Sequence, residues 1–213
     1  ISLRRPRSTR ADFPVVTDVR INLLGLTRPE LEAWILERGG KAFRARQLFN
    51  WLYKRGETDF DTMTDLAKAF REQLKAEACV VLPEVVTRQE AYDGTVKWML
   101  RADNAQGFEM VYIPDEGRAT LCISSQVGCA MGCVFCATGR LGLQRHLQAW
   151  EIVEAFRQVR LDAPGRVSGA VFMGQGEPLH NYDAVMQAAA VIAQPFTGRL
   201  AARAISISTV GLV

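Results

Sequence analysis

Residues 127–139 read VGCAMGCVFCATG, and this short stretch decides how the rest of the chain is interpreted. It places Cys129, Cys133 and Cys136 in the spacing CxxxCxxC, with glycines on both sides and no fourth cysteine beside them. The whole chain has only five cysteines, so three of them on one short loop indicate a shared role. Clustered cysteines in a chain without a signal peptide are more often metal ligands than disulfides.

The spacing favours an iron–sulfur cluster over zinc. A cubane 4Fe–4S cluster takes one ligand per iron, usually a cysteine thiolate. Three cysteines leave one iron open, and an open iron can bind the amino and carboxylate groups of S-adenosylmethionine and reduce it to a radical. A structural zinc site takes four ligands in closed tetrahedral geometry. Because the nearest further ligands, Cys122 and His146, lack normal finger spacing, zinc is the weaker alternative.

Composition and charge describe a soluble globular protein of one or two domains. The chain has 213 residues, of which 48% are hydrophobic and 23% charged, enough for a real core. No apolar run reaches membrane-spanning length and no secretory signal opens the chain, so we expect a cytoplasmic protein without a membrane partner. The chain begins at Ile1 without Met and ends directly after a strand-like segment, so we expect it to be a fragment.

The net charge of +3 points only weakly to an anionic partner, and the distribution of charge is more informative. A basic tail over residues 1–20 contains an arginine-rich arm, and a second basic group lies within residues 41–55. Most such runs are solvated faces, so contact with nucleic acid and simple solvation both stay open. The basic residues are Arg4, Arg5, Arg7 and Arg10 in the arm, then Lys41, Arg44, Arg46, Lys54 and Arg55.

Residues 21–80 predict a helical accessory domain, and residues 81–117 a β-hairpin extension. The first helix begins after Thr27, where TRPE is a capping-box string with Pro in the first turn. Helices over 43–55, stopped by Gly56, and over 62–77 follow. The extension has strand composition over 84–91, 95–101 and 107–113, with a hairpin turn at Asp93-Gly94.

Residues 118–213 predict alternating strands and helices with apolar strands, which indicates parallel βα units. In barrels of such units, chemistry gathers at the carboxyl ends of the strands. The cysteine loop and two later loops should therefore open on one face. The predicted elements are strands over 118–124, 169–173 and 204–208, a helix over 149–161, and a helix over 182–193 capped by Asn181.

The loop Met173–Leu179 reads MGQGEPL and is the second candidate constellation. Its glycines permit close backbone approach to a ligand, and Glu177 could receive the ammonium group of S-adenosylmethionine. The alternative is an ordinary βα turn with a solvated Glu. Ser208, at the next strand end, could bond a ribose or carboxylate, although serines alternating with Ile are equally ordinary strand residues.

Two further side chains have open interpretations. Cys79 reads as a small buried hydrophobe, whereas Cys122 lies on the strand that leads to the cysteine loop and could attack a disulfide or a carbon–sulfur intermediate. Glu109 is either a solvent-facing alternate position or a base with a raised pKa. Alternation along the strand cannot separate these two possibilities.

Taken together, these strings resemble the radical S-adenosylmethionine enzymes that methylate adenine in RNA, most closely the carbon 2 branch. The resemblance implies an α/β fold, namely a partial radical SAM (β/α) barrel over 118–213, truncated here and preceded by the helical domain and the hairpin. One departure is Gln175, where the family usually has Met. The matching strings are VYIP (111–114), ATLCISSQVGC (119–129), CATG (136–139), MGQGEPLHN (173–181) and SISTVG (206–211).

The resemblance implies methylation of carbon 2 of one adenosine in 23S rRNA and of an adenosine beside the tRNA anticodon. Carbon 2 is not nucleophilic, which explains why a radical is required. In the family, one S-adenosylmethionine methylates a cysteine, a second yields a 5′-deoxyadenosyl radical, and the activated methyl adds to adenine. The implied partners are 23S rRNA, tRNA and an electron donor such as flavodoxin or ferredoxin.

The resemblance also implies a role for each residue of this chain that matches a functional position of the family. Cys129, Cys133 and Cys136 would hold the cluster, and Gly176, Glu177 and Ser208 would contact S-adenosylmethionine. Glu109 matches the proton acceptor, and Cys122 matches the thiol that resolves the protein–RNA adduct as a disulfide. The methyl-carrying cysteine lies near the family's carboxyl terminus, and no cysteine follows Cys136 here. We therefore expect the isolated 213-residue chain not to methylate RNA.

Two alternatives stay open at this point. The sister branch, which methylates carbon 8 of the same adenosine, shares the cluster logic, so the motifs discriminate poorly between the two. A non-catalytic RNA-binding module, stabilised by zinc or a redox cluster, is the alternative from another class of protein.

Overall fold

A computed structural model describes residues 20–101, 106–194 and 200–212 of the chain. The predicted basic arm at Arg4–Arg10 lies outside these residues. Within them, no helix has both the length and the apolar character needed to cross a membrane. One continuous apolar core extends from Leu23 to Leu200 and joins the helical part of the chain to the sheet.

The amino-terminal part is a small helical module whose ends are tied together by a two-stranded sheet. Strand β1 (Ile21–Asn22) pairs in parallel with β2 (Ala78–Cys79). Between them lie α1 (Arg28–Glu37), α2 (Phe43–Phe49) and α3 (Lys68–Glu77), with short 3-10 turns at Leu23–Gly25 and Phe60–Thr62. The predicted capping box is present at the start of α1, where the Glu30 carboxylate accepts the backbone N–H of Thr27 at 2.7 Å.

Two helices of the structure have boundaries that differ from the predicted ones. The helix expected over 43–55 is α-helical only to Phe49 and continues as a π-helix over Asn50–Arg55. It ends at Gly56 as predicted, because Gly56 has φ of +73°, a left-handed conformation that costs glycine little. The helix expected over 62–77 begins only at Lys68, since Met63 leaves helical geometry with ψ of 70°.

A six-stranded mixed sheet forms the centre of the molecule, in the order β10-β9-β6-β5-β4-β3. Strands β3 to β6 form an antiparallel meander, whereas β6, β9 and β10 are parallel, as the βα pattern predicts. The hairpin segment and the first barrel strands therefore share one sheet. The strands are β3 (Glu84–Glu90), β4 (Val96–Arg101), β5 (Gly107–Asp115), β6 (Arg118–Cys122), β9 (Val167–Phe172) and β10 (Ile205–Ile207).

The two faces of this sheet differ in burial, because side chains alternate along each strand. One face is apolar and fully covered: Trp98, Leu121 and Phe172 are at most 1% exposed. Helix α5 (Ala149–Asp162) packs against this face and against α6 (Tyr182–Ile192). The opposite face is half exposed on every central strand, so β9 is not the fully buried strand that its apolar sequence predicts.

A second, short antiparallel ribbon holds the cysteine loop, and no pattern in the sequence predicts it. Strand β7 (Gln126–Gly128) pairs with β8 (Leu143–His146) across that loop, which ends in the short helix α4 (Ala137–Arg140). Gly128 has φ of +76°, and a Cβ there would lie 1.9 Å from the carbonyl oxygen of Gly142. Only glycine permits this approach, so Gly128 fixes where the loop closes.

A buried ion pair lies where the helical module meets α5. Glu154 and Arg157 form two hydrogen bonds of 2.6 and 2.7 Å and are 0% and 6% exposed. Burial raises the pKa of Glu154, and Arg157 opposes that rise. Tyr53 of the module is buried beside them: its hydroxyl donates to the Leu24 carbonyl at 2.7 Å, and burial together with Glu154 raises its pKa. The pair on α5 and Tyr53 of the module are therefore buried together where the two parts of the chain meet.

We expect Arg157→Leu to lower the free energy of unfolding by about 3–5 kcal/mol, because it leaves the Glu154 carboxyl without its partner in the core. Replacing both residues by Leu should cost much less. The measurement is urea unfolding followed by circular dichroism, with Arg28→Leu as the control, since Arg28 pairs with Glu32 on an exposed helix face. Equal losses from Arg157→Leu and Arg28→Leu would contradict the assignment.

Candidate active site

The cysteine loop, the glycine loop and the end of β10 open on one cavity of about 280 Å³. The three loops follow β7, β9 and β10, so the fold brings together residues that are distant in sequence. Of the eight predicted site residues, six line the cavity: Cys129, Cys133, Cys136, Gly176, Glu177 and Ser208. Glu109 and Cys122 do not line it and lie on the half-exposed face of the sheet.

The three cysteines have the number and chemistry that a cluster with one open iron requires. A single zinc ion draws its thiolates to about 2.3 Å from one point, whereas a cubane takes one thiolate on each of three separate irons. Here all three cysteines line one cavity, and the backbone N–H of Cys136 donates to the Cys133 carbonyl at 3.0 Å. No three His, Cys, Asp or Glu side chains within the described ranges are grouped to hold a single ion.

Glu177 is a buried carboxylate that already accepts hydrogen bonds from the protein. It is 3% exposed and accepts the backbone N–H groups of Leu179 at 2.9 Å and Val210 at 3.0 Å. Burial alone would raise its pKa, but bonds from the Thr209 hydroxyl and from these N–H groups hold the pKa of Glu177 below its ordinary value. The carboxylate is therefore ionised and fixed in direction, as a receptor for an ammonium group must be.

Ser208 and Asn181 differ in how closely they follow the sequence interpretation. Ser208 lies exposed on the cavity wall, and its backbone N–H donates to the Phe172 carbonyl at 3.4 Å. Asn181 was predicted to cap α6, but its side chain makes no capping bond. Instead it donates to the carbonyls of Ser125 and Leu147, at 2.8 and 2.7 Å. Asn181 thus occupies the predicted N-cap position of α6, but its side chain does not cap the helix because these carbonyls compete for the amide.

Glu109 lies on the half-exposed face of the sheet and is paired with a lysine. The Lys97 ammonium lies 3.1 Å from its carboxylate, and the two side chains are 43% and 30% exposed. Lys97 opposes Val111 in the β4–β5 ladder, and Cys122 opposes Val111 from β6. Lys97, Glu109 and Cys122 consequently share one face of three adjacent strands.

Two side chains form hydrogen bonds with the backbone of Glu109, at the point where pairing between β5 and β6 has ended. Pairing between β5 and β6 stops at Cys122, so the backbone of Glu109 has no partner residue on β6. The Ser124 hydroxyl donates to the Glu109 carbonyl, and the Gln175 side-chain oxygen accepts the Glu109 N–H at 3.3 Å. The backbone N–H of Gln175 donates to the Ser124 hydroxyl at 2.9 Å, so the three residues form a closed ring of hydrogen bonds.

Cys122 is a half-buried thiol at the end of β6. Burial raises the pKa of Cys122, and the backbone N–H of Met173 opposes that rise. The thiol is therefore protonated at neutral pH and needs a base before it can act as a nucleophile. All five cysteines of the chain are free thiols, and no disulfide is supported within it.

Three residues of this site were missed or undervalued in the sequence. Lys97 lies on a strand of the hairpin, and no sequence motif predicts its contact with Glu109. Gln126 is a fully buried polar residue in an otherwise apolar strand. Gln175 stands where the family usually has Met, and its side chain is bonded to the backbone of Glu109. A polar residue between two glycines was the available signal for Gln175.

We expect Gln175→Met to expose the Glu109 N–H, because methionine cannot accept the bond that Gln175 now makes. The loss should be about 1 kcal/mol, so exchange of that amide hydrogen should quicken about fivefold. Nuclear magnetic resonance on the labelled chain measures it, and Gln175→Glu, which keeps an acceptor, is the control. Unchanged exchange in Gln175→Met would show that the bond contributes nothing.

Comparison with known proteins finds a matching family for each of the two parts of the chain. Residues 21–80 match the "Ribosomal RNA large subunit methyltransferase N-terminal domain", and residues 123–213 match the "Radical SAM superfamily". A crystal structure of a radical SAM methyltransferase from Sphaerobacter thermophilus superposes with a TM-score of 0.80 at 37% identity. That alignment covers 90% of this chain and 57% of the other.

Two similar curated proteins are both called dual-specificity RNA methyltransferase RlmN. The protein from Halorhodospira halophila is 50% identical over 194 residues, and that from Rhodospirillum rubrum is 45% identical over 203 residues. Each alignment covers 91% of this chain, but only 54% and 47% of the respective relative. The chain thus spans about half the length of the relatives it matches. In its domain matches, its fold and its cysteine loop, the chain is therefore similar to the RlmN proteins and to the radical SAM superfamily.

Proposed function

We propose that this chain is part of a radical SAM methyltransferase that methylates carbon 2 of a specific adenosine in 23S rRNA and of the adenosine beside the tRNA anticodon. One observation carries the proposal: three cluster-type thiols share a cavity with a fixed carboxylate and a glycine-lined wall. The names of the relatives support RNA as the substrate. The site of action is the cytoplasm, and the electron donor is of the flavodoxin or ferredoxin type.

Cys129, Cys133 and Cys136 hold the 4Fe–4S cluster, while Gly176, Glu177 and Ser208 bind S-adenosylmethionine. When bound, these two cofactors supply the radical that chemistry at a carbon without nucleophilic character requires. The carboxylate of Glu177 attracts the ligand's ammonium group, and it is already ionised, so binding costs no proton. The support for these roles is that all six residues border the same cavity.

Glu109 acts as the proton acceptor and Cys122 as the resolving thiol. Lys97 keeps the Glu109 carboxylate in place through its 3.1 Å contact, and both groups lie on a face that remains open to a large substrate. Cys122 is on the same face of the sheet. Because burial keeps its thiol protonated, Cys122 acts only after a base takes the proton.

The proposal predicts a sharp difference among the cysteines. After anaerobic reconstitution with iron and sulfide, the chain should hold about four iron atoms. Single Ser replacements of Cys129, Cys133 or Cys136 should strip this iron and abolish reductive cleavage of S-adenosylmethionine. Cys122→Ala should keep the full iron content and, in the complete enzyme, accumulate a covalent RNA adduct. Iron analysis, visible absorption and 5′-deoxyadenosine release measure these outcomes.

Three results would each reject a different part of the proposal. A colourless, zinc-loaded protein that cleaves no S-adenosylmethionine would favour the non-catalytic module. Loss of 8-methyladenosine from the RNA of cells lacking the gene, with 2-methyladenosine intact, would favour the sister branch. Equal behaviour of Cys122→Ala and the three ligand variants would return Cys122 to the class of core cysteines.

The helical domain over residues 21–80 contributes to RNA binding. A cavity of about 380 Å³ on its surface is lined by Phe43, Arg46, Asn50 and Lys54, together with Gln47 and Asp65. The Phe43 ring is 54% exposed and offers a stacking surface for a base. The two cations offer contacts for phosphate. An aromatic ring beside cations is the combination that proteins use for unpaired nucleotides.

We expect Phe43→Ala to weaken binding of an rRNA hairpin about tenfold, because a stacked base is lost. Lys54→Ala should lower the slope of log affinity against log salt by about one. Fluorescence anisotropy with the labelled hairpin measures both. Tyr92→Ala and Lys68→Ala are matched controls, since Tyr92 is an exposed aromatic on the hairpin turn and Lys68 an exposed lysine of the same domain. Equal effects of test and control variants would remove the cavity from the RNA-binding surface.

A further inference from the structure

Gln126 is a buried polar side chain for which the proposed function has no role. It is 0% exposed, it opens β7, and it lies three residues before Cys129. Its side-chain oxygen accepts the backbone N–H of Glu177 at 2.8 Å, and its side-chain nitrogen lies 3.0 Å from Nδ1 of His146. One amide therefore connects the strand that leads into the cysteine loop with the loop that carries Glu177.

The two partners also fix which way the amide points. The Glu177 N–H is a donor, so the group facing it must be the oxygen of Gln126. The nitrogen then faces His146, whose Nδ1 must accept. The His146 ring lies at 89° to the His180 ring, with the ring centroids 5.2 Å apart. The side-chain oxygen and nitrogen of Gln126 thus each have a hydrogen-bond partner, as a buried amide requires.

Steric contact makes Gln126 and Gly176 a matched pair. Gly176 has φ of +99°, and a Cβ at this position would lie 2.5 Å from the Gln126 Cβ and 2.8 Å from its side-chain oxygen. Real Cβ atoms do not approach other atoms so closely. The glycine at position 176 is therefore needed to seat Gln126, quite apart from any contact with a ligand.

The bond to the Glu177 N–H sets the orientation of a whole peptide group. In a trans peptide, the carbonyl of residue i and the N–H of residue i+1 point in opposite directions. With the Glu177 N–H turned towards Gln126, the Gly176 carbonyl must point away from it. Gln126 consequently controls how the peptide between Gly176 and Glu177 faces the cavity that both residues line.

We propose that Gln126 is a positioning residue that holds the Gly176–Glu177 peptide in register with the cysteine loop and so sets how S-adenosylmethionine spans the two. A ligand held at both ends needs a fixed separation between its two binding groups. Cys129 and Glu177 belong to loops that follow different strands, and the Gln126 side chain links β7 directly to the loop that carries Glu177. This inference rests on the proposed function.

The test uses Gln126→Met in the reconstituted chain, because Met keeps the length of Gln and removes both polar groups. We expect unchanged iron content, about tenfold weaker binding of S-adenosylmethionine by equilibrium dialysis, and loss of the ligand-induced change in the electron paramagnetic resonance spectrum of the reduced cluster. Gln126→Glu, which again offers an acceptor to the Glu177 N–H, should recover most of the affinity. Gln144→Met, at an exposed glutamine of the same ribbon, is the control.

The possible outcomes separate the two proposals. Wild-type affinity and an unchanged spectral response in Gln126→Met would overturn the positioning role and leave the proposed function standing. Loss of iron from Gln126→Met would also overturn it, because Gln126 would then serve cluster retention. Failure of the unaltered chain to bind S-adenosylmethionine would overturn the proposed function, and the positioning role with it.

Discussion

Direct contact between residues 123–126 and residues 174–177 is the constraint on which the site depends. The Gly174 N–H donates to the Ile123 carbonyl at 3.0 Å, and the Ser125 N–H donates to the Gln175 carbonyl at 2.8 Å. These bonds continue the β6–β9 pairing after both strands have ended. A Cβ at Gly174 would lie 2.7 Å from the Ser124 hydroxyl oxygen, so the contact exists only because the residue is glycine.

The division of the sheet into two faces explains why its chemistry lies where it does. The apolar face supports α5 and α6 and contributes hydrophobic stabilisation. The other face does not need to be apolar, so it can carry Lys97, Glu109 and Cys122 without an uncompensated charge in the core. The same folding constraint that requires one face to be apolar leaves the other free for polar groups.

Sequence patterns predicted the parts of this structure that follow from periodicity and turn chemistry. The hairpin turn is one example, because Asp93 accepts the Thr95 N–H at 2.9 Å and Gly94 has φ of +81°. The meeting of the loops after β9 and β10 followed from the rule that parallel strands share their carboxyl ends. These features depend on local residue type or on topology, and both are visible in a sequence.

The features that the sequence did not predict are long-range side-chain contacts. Lys97 meets Glu109 because a ladder register places them diagonally, and alternation alone does not give the register. Gln126 and Asn181 satisfy partners on other loops. The β7–β8 ribbon was missed because each strand has only three or four residues, too few to show a period.

The surroundings of Glu177 connect the proposed ligand site to the end of β10. An ionised carboxylate has about four lone-pair positions, and Leu179, Thr209 and Val210 occupy three of them. One position is therefore left for an ammonium donor. Two of the three bonds come from the loop after β10, so the strength and direction of the remaining position depend on where that loop lies. A change in that loop would alter binding at Glu177 without touching the cysteines, because the loop supplies the hydrogen bonds that keep the carboxylate charged in a buried site.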